Sequence, residues 1–79
     1  MRKFEKFLRK LSPSEYARVW EVVLRLQNCD FKDIDIKKLK QRPFVYRARV
    51  GRVRVIYYYD GEVIVIKSIS WRSDNTYGE

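Results

Sequence analysis

Tyr46-Arg47-Ala48-Arg49-Val50-Gly51-Arg52-Val53-Arg54-Val55 is the stretch that decides the fold of this chain. Its arginines alternate with small or β-branched residues around one glycine. A two-residue period is that of a β-strand, so cations fall on one face and apolar residues on the other. Gly51 marks the reversal. A turn over Val50 and Gly51 would demand a positive φ at β-branched Val50, whereas a type II′ turn over Gly51 and Arg52 avoids it. That turn pairs Val50 with Val53 and Arg49 with Arg54; the alternative register pairs Arg47 with Arg54. Either way Arg47, Arg49 and Arg54 share a face. Like charges opposed across strands are destabilising. A face that accepts this cost is best explained by an anion, above all a nucleic-acid backbone.

Working outward, strands are expected near residues 44–50, 53–59 and 62–71. Asp60-Gly61 is a strong hairpin signal, and setting Tyr59 opposite Glu62 puts Tyr57 beside Ile64 and Val55 beside Ile66. With Tyr46, Ala48, Val50 and Val53 these make a core face. The other face carries Arg47, Arg49, Arg54, Ile56, Tyr58, Val65 and Lys67. Upstream, Phe4, Phe7, Leu8 and Leu11 follow one helical stripe. Ser12-Pro13-Ser14-Glu15 then reads as a helix restart, with Ser12 as cap, Pro13 in the first turn and Glu15 closing a capping box. The second helix should bury Tyr16, Val19, Trp20, Val23, Leu24 and Leu26, with Glu21 and Arg25 as an outward pair. Residues 28–43 read as a polar connector around Ile34, Ile36 and Leu39. The expected fold is α+β: an N-terminal helical hairpin packed on a small antiparallel sheet, a three-stranded meander, in one domain over residues 1–79.

The chain has 79 residues, 46% of them hydrophobic, so a small globular domain is expected rather than a disordered one. No apolar run approaches the roughly 20 residues of a membrane span, and the first helix is unlike a signal peptide. The lone Cys29 suits a cytoplasmic protein and should be half-buried at a helix end. Histidine is absent, which argues against a zinc site. The net charge of +8 is unevenly spread: Lys40, Arg42, Arg47, Arg49, Arg52 and Arg54 follow one another with no intervening acid. A basic face of this kind suits RNA, DNA or an acidic protein. Its plain alternative is a solvated charged surface.

The order of these pieces resembles the RelE/ParE superfamily of toxin–antitoxin toxins. The resemblance runs through the helical hairpin, Lys38-Leu39, the arginine hairpin to Val55-Ile56-Tyr57, and Ile69-Ser70-Trp71-Arg72 followed by Tyr77. It implies a RelE-like mRNA endoribonuclease acting at the ribosomal A site and neutralised by a cognate antitoxin. Carried over residue by residue, it makes Arg54, Arg72 and Tyr77 catalytic. Arg47 and Arg49 stand where that branch often has lysines on the strand before the glycine; with Arg52 and Lys67 they form the expected RNA-binding set. The family usually opens with a β-strand, which here is short or missing, leaving an edge open. Strict strand parity also sets Arg72 on the face opposite Arg54. The chain must twist, bulge or leave the strand near Trp71 for both to line one site.

RNA can be cut without a metal or other cofactor when its own 2′-hydroxyl attacks the adjacent phosphate. Histidine usually handles the proton steps. In its absence Tyr77 is the candidate base, its hydroxyl made more acidic by surrounding cations. Arginine stays protonated, and its planar fork suits phosphate oxygens, so charge stabilisation by Arg54 and Arg72 should outweigh proton transfer. The plain alternatives are a packed C-terminal aromatic for Tyr77 and a solvated loop charge for Arg72. Two other classes share these features: a ParE-like gyrase-inhibiting toxin, and a noncatalytic nucleic-acid-binding module in which Tyr58 and Trp71 stack bases.

Overall fold

Ser12 starts the principal helix in the computed structural model, which describes residues 4–40 and 42–72. Its Oγ accepts from the Glu15 backbone N–H at 3.3 Å, while the Ser12 N–H donates to Glu15 Oε1 at 3.2 Å. With Pro13 in the first turn this reciprocal box opens α2 (Pro13–Gln27); α1 (Glu5–Leu8) is a single turn before it. Losing a cap of this kind costs about 1 kcal/mol. Ser12→Ala should therefore lower the melting temperature by about 4–8 °C, the shift expected for a domain of this size. A thermal melt followed by circular dichroism checks this.

Helix α2 buries Val19, Val23 and Leu26, with Val22 packed partly beside them. These four fill the stripe that meets the sheet. Tyr16 and Leu24, expected in the core, are instead 43% and 42% exposed on the flank of that stripe. Trp20 is half-buried and stacks on Tyr16 with ring centroids 6.4 Å apart. Arg25 turns from Glu21 to Asp30, with Nε 3.2 Å from Oδ2, and also donates to the Lys32 carbonyl. Cys29 lies past the helix end with φ +56 and is exposed, not half-buried.

The sheet has four strands, not three: β1 (Asp35–Lys38), β2 (Val45–Val50), β3 (Val53–Tyr59) and β4 (Ile64–Trp71), antiparallel in that order. The added strand comes from the connector. Ile34 and Ile36 already carry a two-residue period, and Ile36 pairs with Ala48 and packs toward the core. The fourth strand of this sheet is thus supplied from within the chain, and its exposed residues are charged (Asp35, Lys37, Lys38), a common protection for an edge.

One face of the sheet meets the helices through Tyr46, Ala48, Val50, Val53, Val55, Tyr57, Ile64 and Ile66, as the alternation predicts. A smaller cluster of Leu39, Val45 and Ile56 lies apart from it. The β3–β4 hairpin departs from expectation. Asp60 Oδ1 accepts from the N–H groups of Glu62 (2.9 Å) and Val63 (3.1 Å), which organises a loop over residues 60–63 in place of a two-residue turn. Tyr59 therefore pairs with Ile64 and Tyr57 with Ile66. Being a shift of two, it leaves the faces of Ile64 and Ile66 unchanged.

Three carboxyls in these local structures are held below their ordinary range. For Glu15 the main cause is the Arg52 guanidinium, for Asp30 the Arg25 guanidinium, and for Asp60 the Val63 and Glu62 N–H groups. A depressed pKa stabilises the fold fully above the unfolded carboxyl value and loses that effect as pH falls through the folded one. Stability should accordingly decline below about pH 4, the ordinary carboxyl range. Melts between pH 7 and pH 2 check this, and Glu15→Gln should flatten the acid limb.

Candidate nucleic-acid interface

The β2–β3 hairpin turns as predicted. Gly51 has φ +58, Arg52 is not in the left-handed region, and the register sets Val50 against Val53 and Arg49 against Arg54. A positive φ confined to the first turn residue is what a type II′ turn requires. On the face away from the helices, pairing lines side chains into rows about 7 Å apart, two residues along a strand. The first row reads Asp35, Arg49, Arg54, Ser70, and the second Lys37, Arg47, Ile56, Ser68. In the third, Val45 stands opposite Tyr58 and Tyr58 opposite Val65, with Leu39 bonded to Val45 through its N–H.

Arg47, Arg49 and Arg54 thus share a face, but that face is neither wholly open nor free of carboxylates. Arg47 and Arg54 are only 4% and 5% exposed, and Asp35 stands across from Arg49 in register. Among the described residues no salt bridge joins Asp35 to Arg49. The Nε of Arg49 and the Oγ of Ser68 are buried with no hydrogen-bond partner among the described residues. Buried donors left this way are uncommon in folded proteins and call for an acceptor.

Arg72 reaches this face through a bulge. Pairing jumps from Tyr57–Ile66 to Ile56–Ser68, so Lys67 is an extra residue in β4. From there the parity reverses: Ile69 and Trp71 turn to the core, Ser68 and Ser70 turn to the face of Arg54, and Arg72 continues that alternation. Arg54 Nη2 donates to the Arg72 carbonyl at 2.6 Å. Arg72 in turn donates from its backbone N–H to the Arg52 carbonyl (2.8 Å) and from Nη1 to the Gly51 carbonyl (3.1 Å). The guanidinium that follows β4 is therefore tied to the turn that opens β3.

The remaining expected residues divide. Lys67 is exposed at the bulge itself. Arg52 points away from the arginine face, toward the helices. Its Nη2 lies 2.8 Å and its Nε 3.0 Å from Glu15 Oε2, and the guanidinium sits 5.1 Å over the Trp71 ring. It clamps the hairpin turn to the start of α2. Trp71, a base-stacking candidate by its sequence position, packs on Phe7 on the helix side with centroids 4.9 Å apart. Tyr77 lies outside the described residues. Residues not anticipated on this face are Lys37, Ser68, Ser70 and Phe44. Lys37 was detectable from the alternation after Ile34; the serines depend on the bulge, which no local signal announces.

A short helical layer over a four-stranded antiparallel sheet, with an arginine hairpin and a terminal arginine on the free face, defines the toxin fold of the RelE/ParE type. No family model matches the chain. It is, however, 37% identical over 71 residues to the "Putative toxin RelE1" of Methanocaldococcus jannaschii, covering 85% of this chain and 79% of that protein. The crystal structure of a RelB-RelE antitoxin-toxin complex from Methanococcus jannaschii aligns with a TM-score of 0.75 at 25% identity, covering 92% of this chain and 88% of that one. An archaeal RelE-RelB complex from Pyrococcus horikoshii OT3 aligns with a TM-score of 0.62 at 32% identity, covering 85% and 83%. The chain belongs to the RelE toxin family. No described helix is long and apolar enough to cross a membrane.

Proposed function

We propose that this chain is a ribosome-associated mRNA endoribonuclease, the toxin of a toxin–antitoxin pair in the cytoplasm. The observation that carries this reading is the meeting of Arg54 and Arg72 on the arginine face, 2.6 Å from guanidinium to backbone carbonyl. In the proposed reaction a ribose 2′-oxygen loses its proton to Tyr77 and bonds to the adjacent phosphorus. The bond from phosphorus to the 5′-oxygen breaks, and that oxygen takes up a proton. The products are a 2′,3′-cyclic phosphate and a 5′-hydroxyl. Arg54 and Arg72 offset the extra negative charge of the pentacoordinate intermediate. Arg47, Arg49 and Lys67 hold flanking phosphates, and the Arg49 Nε, which has no hydrogen-bond partner among the described residues, is a donor ready for a phosphate oxygen. Arg52 supports the turn.

The solved relatives are complexes with RelB, and a cognate antitoxin for this chain belongs to the same proposal. It would set carboxylates against the arginines, or add a strand to the outer edge of β4, which has no neighbour among the described residues.

Mapping mRNA 5′ ends after adding the protein to a translating extract tests the reading. New ends within codons, bearing 5′-hydroxyls, are expected. Intact mRNA would overturn it; intact mRNA with inhibited gyrase would indicate a ParE-like toxin instead.

A further inference from the structure

Phe44 occupies an unusual position. Its φ is +65, a strained conformation that bulky residues rarely adopt. In an extended strand Phe44 would alternate with Val45 and lie on the helix side with Tyr46. The left-handed turn brings it instead against Tyr58, on the arginine face, with ring centroids 6.0 Å apart at 67°. Phe44 remains 48% exposed there. Tyr58 is half-buried, and its hydroxyl donates to Asp60 Oδ2 at 3.1 Å. The Phe44 carbonyl accepts from the Tyr59 N–H at 2.8 Å, which locks the strained residue to the sheet. Val65, opposite Tyr58, is 51% exposed and extends the apolar patch.

This patch lies one row, about 7 Å, from Arg47 and Lys37 and two rows from Arg49 and Arg54. Cations in the adjoining rows call for an anionic partner. An exposed Phe44 ring, propped edge to face on Tyr58 and bordered by arginines, suits a single-stranded polynucleotide, whose phosphates follow the cations while a base lies on the ring. We propose that Phe44 and Tyr58 form a nucleobase-stacking platform that holds one base of the RNA chain beside the phosphates bound by the arginine rows. This deepens the RNA reading above and rests on it. It also accounts for a strained residue that contributes little to the core.

The test compares a short single-stranded oligoribonucleotide with an abasic oligomer of equal length and charge. Affinities are measured by fluorescence anisotropy over a range of KCl concentrations. The native chain should bind the base-bearing oligomer more tightly, and Phe44→Leu should weaken that binding by about 5–150-fold. Phe44→Leu should leave abasic binding and the salt slope unchanged, because it removes no phosphate contact. Phe44→Trp should retain the preference, and Tyr58→Leu should reduce it even if Phe44→Leu melts too low for assay. Arg49→Ala should instead reduce the magnitude of the salt slope by about 0.7, one single-strand phosphate contact. Salt-sensitive binding with no preference for bases, or a preference indifferent to both aromatic substitutions, would overturn the platform while leaving the RNA reading intact. No salt-sensitive binding of either oligomer would also overturn the platform, while the cleavage reading is decided separately in the translating extract. Unchanged RNA affinity together with weakened capture of a copurified antitoxin would assign the aromatic pair to that protein and also overturn the platform.

Discussion

Arg54→Ala is expected to lower the rate of mRNA cleavage by about 10²–10³-fold, the loss seen when one preorganised donor to a developing anion is removed. Arg54 is 5% exposed, so its charge acts where water screens little. Its Nη2 is fixed on the Arg72 carbonyl, which orients the planar fork before substrate arrives. Alanine removes charge and fork together and releases that carbonyl. Arg54→Lys keeps the charge as a flexible point without the bidentate plane, and should recover only part of the rate. The same substitutions bear on the fold, because a buried polar group is being removed. Melting temperature and single-turnover cleavage should therefore be measured together, below the melt of each variant. A loss of rate that disappears once the protein is fully folded would mean that Arg54 is purely structural. A loss that persists, with Arg54→Lys intermediate, assigns it to the phosphate.

How much of this was legible in the sequence depended on how local each signal was. The turn of the arginine hairpin and the shared face of Arg47, Arg49 and Arg54 could be read because the turn has a low-strain solution at Gly51 and a period of two does the rest. The capping box at Ser12 was equally local. The failures came where a side chain changes the count. Asp60 captures two N–H groups and lengthens a loop that the Asp60-Gly61 pair announces as tight. Lys67 adds a residue that reverses parity, and so moves Arg72 to the face that the family resemblance required and strict alternation denied. Tyr16 and Leu24 satisfy helical spacing yet lie outside the stripe the sheet can cover. The fourth strand was signalled by Ile34 and Ile36 but masked by the charges around them, Asp33, Asp35, Lys37 and Lys38. Arg52 matched its neighbours in type and spacing, and only the approach of Glu15 from a distant helix turned it elsewhere.

Tyr77→Phe is the change expected to separate cutting from binding, with cleavage falling by about 10²–10⁴-fold while RNA affinity stays within a small factor of the native value. The reasoning starts from what the chain lacks. With no histidine, the groups able to take a proton near neutral pH are few. The tyrosines of the sheet are poorly suited. Burial pushes Tyr57 up to about 12, Tyr58 is raised by its bond to Asp60, and Tyr59 is raised chiefly by burial. Each is harder to ionise than a free tyrosine. Tyr77 follows Arg72 by five residues and is the tyrosine that the family resemblance assigns to the proton step. Cations nearby would lower its pKa toward the working range. Phenylalanine keeps the ring and removes only the ionisable hydroxyl. If Tyr77 is the base, the native rate should rise with pH toward the pKa of that hydroxyl, while the residual rate of the phenylalanine variant loses that limb. Tyr58→Phe, which removes a hydroxyl already committed to Asp60, should leave the pH profile unchanged. A phenylalanine variant that cleaves at the native rate would make Tyr77 a packed terminal ring and pass the proton step to a lysine, to water or to the ribosome.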